Sequence, residues 1–270
     1  MIPRLLVVPR RTSQTPGGAW VGDPDLFTKA KSIELIQISV VFTSDIDEGE
    51  RLLKEWERFA KKVEIGGPAY SDPGGEFTPG KFVKAGVVHT SRGCVRKCPW
   101  CYVPKREGQI RELKIREGNI IQDNNLLACS RRHFGKVVEM LRTQSGIKFS
   151  GGLDARLLRD HHIDDLRSLR VFELWTAADS IAVSAITRRA VEKLRKAGFS
   201  KRKIRCYCMI GFDGESLEDA EARLLDLYNA GSVPFAQIYD QKKDVSHEWR
   251  KLAKTWSRPA MIKMKYGGAW

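Results

Sequence analysis

Three cysteines, Cys94, Cys98 and Cys101, stand in the run Cys94-Val95-Arg96-Lys97-Cys98-Pro99-Trp100-Cys101, close enough in sequence for one loop to carry all three to a single metal centre. Thiolates are the usual ligands of iron–sulfur clusters, and a 4Fe–4S cluster normally takes four of them. Three leave one iron open to a reacting molecule. The competing assignment is structural zinc, which wants a closed tetrahedral shell of four Cys or His ligands. No fourth ligand stands at finger-like spacing: His89 is five residues upstream, and Cys129 and His133 lie far downstream. The missing ligand favours the cluster.

The spacing, with Trp100 just before the last cysteine, resembles the CxxxCxΦC signature of the radical SAM superfamily, and the leading Thr90-Ser91-Arg92-Gly93 strengthens the match. The resemblance implies a 4Fe–4S cluster on Cys94, Cys98 and Cys101 whose open iron chelates S-adenosylmethionine (SAM), with an electron from the cluster cleaving the sulfonium to a 5'-deoxyadenosyl radical. In such enzymes the cofactors carry the hard chemistry and the protein positions them. A flavodoxin- or ferredoxin-like reductant is then the expected electron source.

The elements that must position this loop read as α/β. Apolar runs at Lys84–Thr90, Asn119–Gln122, Ile147–Ser150, Val171–Thr176, Lys203–Ile210 and Val233–Tyr239 predict strands, and helical patterns between them predict crossovers and parallel pairing. Ser130 is placed to cap a helix reaching about Thr143. Ser216 caps another, with Glu218, Asp219 and Glu221 in its first turn and Ala230-Gly231 as its stop. Six such units match the partial (β/α)6, TIM-like barrel that the resemblance implies. In parallel barrels the site lies at the carboxyl ends of the strands.

At those ends stand the segments that the resemblance marks as cofactor contacts. After the second strand come Asp123, Asn124 and Asn125, similar to a segment of the methylthiotransferase-like branch and placed to hold the SAM ammonium. After the third come Gly151 and Gly152, which would let backbone approach the cofactor, and Arg156, a planar fork for its carboxylate. Thr176 ends the fourth strand, where relatives contact ribose. Ile210 and Gly211 begin a segment similar to one near the adenine. Taken singly, glycine pairs and Asp-Asn runs are ordinary turn and cap residues; their order along the chain is what links them.

Three cysteines remain. Cys206 and Cys208 alternate on a strand and share a face, while Cys129 stands apart. An auxiliary cluster lacks a compact motif, and buried cysteine behaves as a small hydrophobe. Cys129 is the one candidate for a catalytic hydrogen-atom donor. The tandem His161-His162, at a polar helix start, is expected to face solvent.

Residues 1–81 read as a truncated Rossmann-like α/β segment and linker, 82–240 as the barrel and 241–270 as an extension packing on it. In the first, Ile33–Thr43 reads as a strand, Glu48–Ala60 as a helix and Val63–Gly66 as a strand, with a basic surface turn at Pro9–Gly18 and a linker at Pro68–Gly80. This resembles a cut-down cobalamin-binding domain, but the DxHxxG motif is missing, so cobalamin is not expected. Trp249 and Trp256, seven apart, share a helical face suited to packing.

A chain of 270 residues has room for a large core, and with no membrane-length apolar stretch or basic-then-apolar leader it reads as cytoplasmic. The net charge of +14 is unevenly spread. Ile186–Arg205 holds nine basic residues and one acid, Arg92–Glu117 eight and three, and Lys242–Lys265 eight and two. Such stretches attract anions, and nucleic acid or a nucleotide is the expected substrate class. The alternative to an enzyme is a zinc-containing nucleic-acid-binding protein without catalysis.

Overall fold

In the computed structural model, which describes residues 2–72, 77–239 and 245–267, the chain divides into two units, Met1–Gly118 and Asn119–Trp270. The first is built on β1 (Leu5–Val8), β2 (Trp20–Val21), β3 (Ile33–Ser39) and β4 (Ala60–Gly66), in the order β2-β1-β3-β4. Every pair is parallel. Parallel neighbours need a crossover, and helix α1 (Ile46–Trp56) joins β3 to β4. Its Gly49, Leu52 and Trp56 recur every three or four residues and are buried, and the two large ones join Val7, Ile36, Ile38 and Val40 in one core. Glycine is needed at position 49, because a β-carbon there would lie 2.6 Å from Val40 Cγ2.

The strand, helix and strand expected between Ile33 and Gly66 are present with shifted ends. β1 and β2 are additions to the expectation. β1 is apolar on both faces, so it reads as a plain run without the alternation that marks a half-buried strand. The expected turn at Pro9–Gly18 lies between them, where the Thr12 N–H donates to Thr15 Oγ1 at 2.8 Å. Of the expected linker, Pro68–Tyr70 is a single 3-10 turn, and residues 73–76 lie outside the described ones.

The rest of the first unit holds short elements: β5 (Val87–Val88), β6 (Ser91–Arg92), α2 (Val103–Arg106) and β7 (Arg111–Glu112). The strand expected over Lys84–Thr90 is thus reduced to two residues, because Gly86 and Gly93 adopt positive φ and punctuate the segment. β6 pairs antiparallel with β7, Arg92 opposite Arg111. The cysteines occupy the loop that this pair closes.

The second unit repeats one motif. β8 (Ile120–Ile121), α3 (Arg131–Arg142), β9 (Ile147–Phe149), α4 (Asp160–Arg167), β10 (Val171–Ala177), α5 (Ile181–Lys196), β11 (Ile204–Ile210), α6 (Leu217–Asn229) and β12 (Val233–Ile238) follow in turn. Strands β8 to β12 are neighbours in chain order and all parallel. Both caps stand where the sequence places them: Ser130 Oγ accepts from the His133 N–H at 3.1 Å, and Ser216 Oγ from the Asp219 N–H at 3.0 Å. Each such cap is worth about 1 kcal/mol.

Helices α7 (His247–Trp256) and α8 (Pro259–Tyr266) are the last elements of the described residues. They join a core with Cys206, Cys208, Ile210, Leu224, Leu227, Tyr228 and Val233, in which Trp256 and Ile262 are fully buried. Trp249 packs against the same core, so the shared tryptophan face packs as expected. Of the basic tail, residues 242–244 lie outside the described ones. No helix among the described residues is long and apolar enough to cross a membrane.

Candidate functional site

Gly93 fixes how the cysteine run starts. Its φ is +83°, and a β-carbon would lie 2.1 Å from the Gln109 carbonyl oxygen. Only glycine lets the outgoing and returning chain approach so closely. The Gly93 N–H donates to Glu107 Oε2 at 3.1 Å, and the Cys94 N–H to the Gly108 carbonyl at 3.1 Å. Glu107 is buried; its Oε1 takes Arg106 at 2.6 Å and Arg92 at 3.6 Å. A buried carboxylate between two guanidinium groups therefore closes the loop, and removing the carboxylate would leave both guanidinium groups without it.

Within the loop Cys94, Cys98 and Cys101 are partly exposed thiols outside any disulfide. Cys94 Sγ accepts from the Arg96 N–H at 3.4 Å, and the Cys101 N–H donates to the Cys98 carbonyl at 3.0 Å, turning the run back on itself. Trp100 is half-buried. As donors these residues suit an iron–sulfur cluster: soft, accessible, on one loop, with a backbone N–H directed at a sulfur. Their side chains are not gathered, since among the described residues no three Cys, His, Asp or Glu groups form a possible metal site. A cluster shared by all three would require the thiols to turn toward one another within the loop. His89 is buried with its ring centroid 5.0 Å from that of Phe77.

In the second unit the other expected contacts gather at the carboxyl edge of the sheet: Asp123–Asn125 follow β8, Gly151, Gly152 and Arg156 follow β9, Thr176 and Ile210 are among the last residues of β10 and β11, and Gly211 follows β11 directly. Asp123 and Asn125 are buried and Asn124 is half-buried. A β-carbon on Gly151 would lie 2.0 Å from the Asp123 carbonyl oxygen. The first glycine of the pair thus permits contact between two loops of the protein itself. Gly152, at φ +110°, has nothing within 4 Å of where a β-carbon would sit.

Arg156 presents its fork to Asp154, Nε to Oδ1 at 2.7 Å and Nη2 to Oδ2 at 3.1 Å. Asn125 Nδ2 reaches the same carboxylate at 3.3 Å, linking the loops after β8 and β9. A ligand carboxylate taken by these guanidinium nitrogens would have to exchange with Asp154. The Thr176 hydroxyl donates to the Leu153 carbonyl at 2.9 Å, holding the same loop down on β10. Ile210 sends its side chain into the core, fully buried. Gly211, at φ +75°, lies under the Trp249 ring, 3.7 Å from the position of a β-carbon.

One organising residue of this edge escapes the sequence reading. Arg223 on α6 is buried, and its guanidinium donates to the Ala178 carbonyl after β10, to the Met209 carbonyl of β11 at 2.7 Å, and to Glu215 Oε1 at 2.6 Å. Glu215 Oε2 in turn accepts the Gly211 N–H at 3.0 Å. The pair ties two strand ends and one loop together. A signal was legible: Arg223 falls in the apolar stripe Ala220, Leu224, Leu227, where a charged residue needs a buried partner.

Cys206 and Cys208 are fully buried, Sγ to Sγ 3.8 Å, and burial pushes the Cys206 thiol well above its ordinary pKa. Cys129 is half-exposed at the end of a 3-10 turn. The expectation for His162 needs correction. It is buried, its Nδ1 accepts the Arg159 N–H at 3.1 Å, and it meets Phe134 edge-on at 4.8 Å. The imidazole serves as the acceptor that starts α4, and Phe134 supplies the apolar wall that draws it inward. A scan against protein-family models and a search of curated proteins return no match.

Proposed function

We propose that the protein is a radical SAM enzyme, built as a partial (β/α)6 barrel with a Rossmann-like segment before it, and acting on an anionic substrate of the nucleic-acid or nucleotide class. The observation that carries the reading is the loop of Cys94, Cys98 and Cys101: three accessible thiols at cluster spacing on a turn that Gly93 and Glu107 pin. When bound, the 4Fe–4S cluster and SAM supply reductive cleavage to a 5'-deoxyadenosyl radical, which removes a hydrogen atom from the substrate.

The chain's own residues hold and orient. The three thiolates ligate the cluster, and the Arg96 N–H stabilises charge on Cys94 Sγ. In the second unit, Asp123, Asn124 and Asn125 serve the SAM ammonium, the Gly152 backbone and Arg156 its carboxyl end, and Thr176 and Gly211 its nucleoside. Asp154 keeps the Arg156 fork oriented until a carboxylate replaces it. Lys97 and Lys105 beside the cysteines are exposed and attract an acidic reductant of the flavodoxin or ferredoxin type. Cys129 is retained as candidate hydrogen donor.

Anaerobic reconstitution tests the proposal. The expected result is a brown protein with about four irons that makes 5'-deoxyadenosine from SAM with a reductant, and loses both when Cys94, Cys98 and Cys101 are changed to Ala. A triple variant that still cleaves SAM would sink it. A colourless protein that takes up zinc instead would support the non-catalytic nucleic-acid-binding alternative.

A further inference from the structure

We propose that the amino-terminal edge of the second unit's sheet binds single-stranded nucleic acid, with Phe172 stacking an unpaired base and Arg202 and Lys203 holding the adjoining phosphates. The site is independent of the cysteine loop and of any chemistry at the carboxyl edge.

The charges of the Ile186–Arg205 stretch sort themselves by partner. Arg188 meets Glu192 at 2.6 Å and Asp226 at 3.7 Å, Lys193 meets Asp160 at 3.0 Å, and Arg205 meets Glu173 at 3.8 Å. Arg195 donates to the Phe199 carbonyl at 2.7 Å, and Lys201 lies 3.0 Å above the Tyr228 ring. These groups are engaged within the fold. Arg189, Lys196, Arg202 and Lys203 are exposed, and among the described residues no carboxylate pairs with any of them; of these four, Arg202 and Lys203, on the turn that enters β11, line one depression with Phe172. Two adjacent unneutralised cations are what a phosphodiester backbone requires.

An aromatic ring stands beside them for a structural reason. The β9–β10 register slips between Val171 and Glu173, which pair with the consecutive residues Ile147 and Lys148. Phe172 is the extra residue, and a bulge of this kind re-aims its side chain. Phe172 is 47% exposed, with Lys148 Nζ 4.9 Å from its ring centroid. Together Phe172, Ser200, Arg202 and Lys203 line a shallow surface depression of about 170 Å³.

Size and chemistry choose the occupant. The depression is below the roughly 300 Å³ at which whole-ligand pockets start and is open to solvent, so it suits one contact point of a longer polymer better than a whole small molecule. A duplex keeps its bases stacked on each other and offers no free face to Phe172. An acidic peptide would use the cations and leave the ring bare. Unpaired nucleotides use both, as in grooves that combine basic tracking of the backbone with aromatic stacking.

Fluorescence anisotropy of the full chain with labelled single-stranded RNA and DNA of about 12 nucleotides, within the usual site sizes, tests the proposal. Phe172→Ala should weaken single-strand binding about ten-fold, and Phe172→Tyr should retain it. Since the side chain is exposed, circular dichroism should be unchanged in both. Arg202→Ser with Lys203→Ser should lower the salt slope by about 1.4, at 0.7 per lost phosphate contact. Arg189→Ser with Lys196→Ser, on α5, should change it less. Wild-type affinity in Phe172→Ala would overturn the assignment, as would a duplex or polyglutamate bound as tightly as the single strand.

Discussion

At the scale of single residues, Arg223 and Glu215 show how much of the carboxyl edge of the second unit's sheet depends on one buried ion pair. The guanidinium is 5% and the carboxylate 7% exposed, and between them they satisfy two strand-end carbonyls and a loop N–H. Arg223→Met strands the carboxylate without water, so urea denaturation should show a loss of about 3–5 kcal/mol. Glu215→Gln keeps an acceptor for Gly211 and should lose about half of that. A methionine variant as stable as the parent would show that the pair holds nothing. His162 makes a separate prediction. Burial, with His161 adjacent, lowers its pKa from 6.5 to about 4. Between those values the unfolded chain binds the extra proton and the folded one does not, so stability falls as pH drops from 6.5 toward 4 and is unaffected above. A displacement of that size is worth at most about 3 kcal/mol, and partial solvent screening should leave a loss of about 2 kcal/mol. His162→Gln, which keeps an acceptor for the Arg159 N–H, should flatten that part of the profile; an unchanged slope would exclude His162 as its source.

At the scale of elements, the cysteine loop depends on Gly93 in two ways, through positive φ and through the absence of a β-carbon against Gln109. Gly93→Ala therefore separates β6 from the returning chain, at about 1–3 kcal/mol of local strain. Iron uptake should drop and tryptic cleavage at Arg96 and Lys97 should quicken, while far-UV circular dichroism holds because the loop contributes almost no regular structure. Unaltered iron content and cleavage would mean that the loop tolerates the added methyl. Caps and crossovers were the easiest elements to read in advance. Ser130 and Ser216 each stand directly before a periodic apolar pattern, and their geometry followed from chemistry within one turn. The short strands were harder. β5 and β8 are two residues long, and a run that short has no period to detect.

At the scale of the whole molecule, what the sequence made legible is the parallel α/β plan and the identity of the segments at each strand end. What stayed hidden were contacts between segments far apart in the chain. Asp154 on Arg156 could be guessed from proximity, but Arg223 reaching the end of β10 from α6 spans 45 residues and leaves only an indirect trace in sequence. The two glycines after β9 illustrate the same limit, because one of them answers to the Asp123 backbone and not to a ligand. The distribution of the six cysteines across the molecule has a practical consequence. Four are partly exposed and two are sealed in the core, so a small alkylating reagent can count states by mass. The metal-free native chain should take up four labels, and urea should release the remaining two in step with loss of the core around Cys206 and Cys208. A chain loaded with a cluster on three thiolates should shrink the native count to the single label on Cys129. Labelling of Cys206 or Cys208 before unfolding would reveal local opening of β11 that equilibrium spectroscopy averages away.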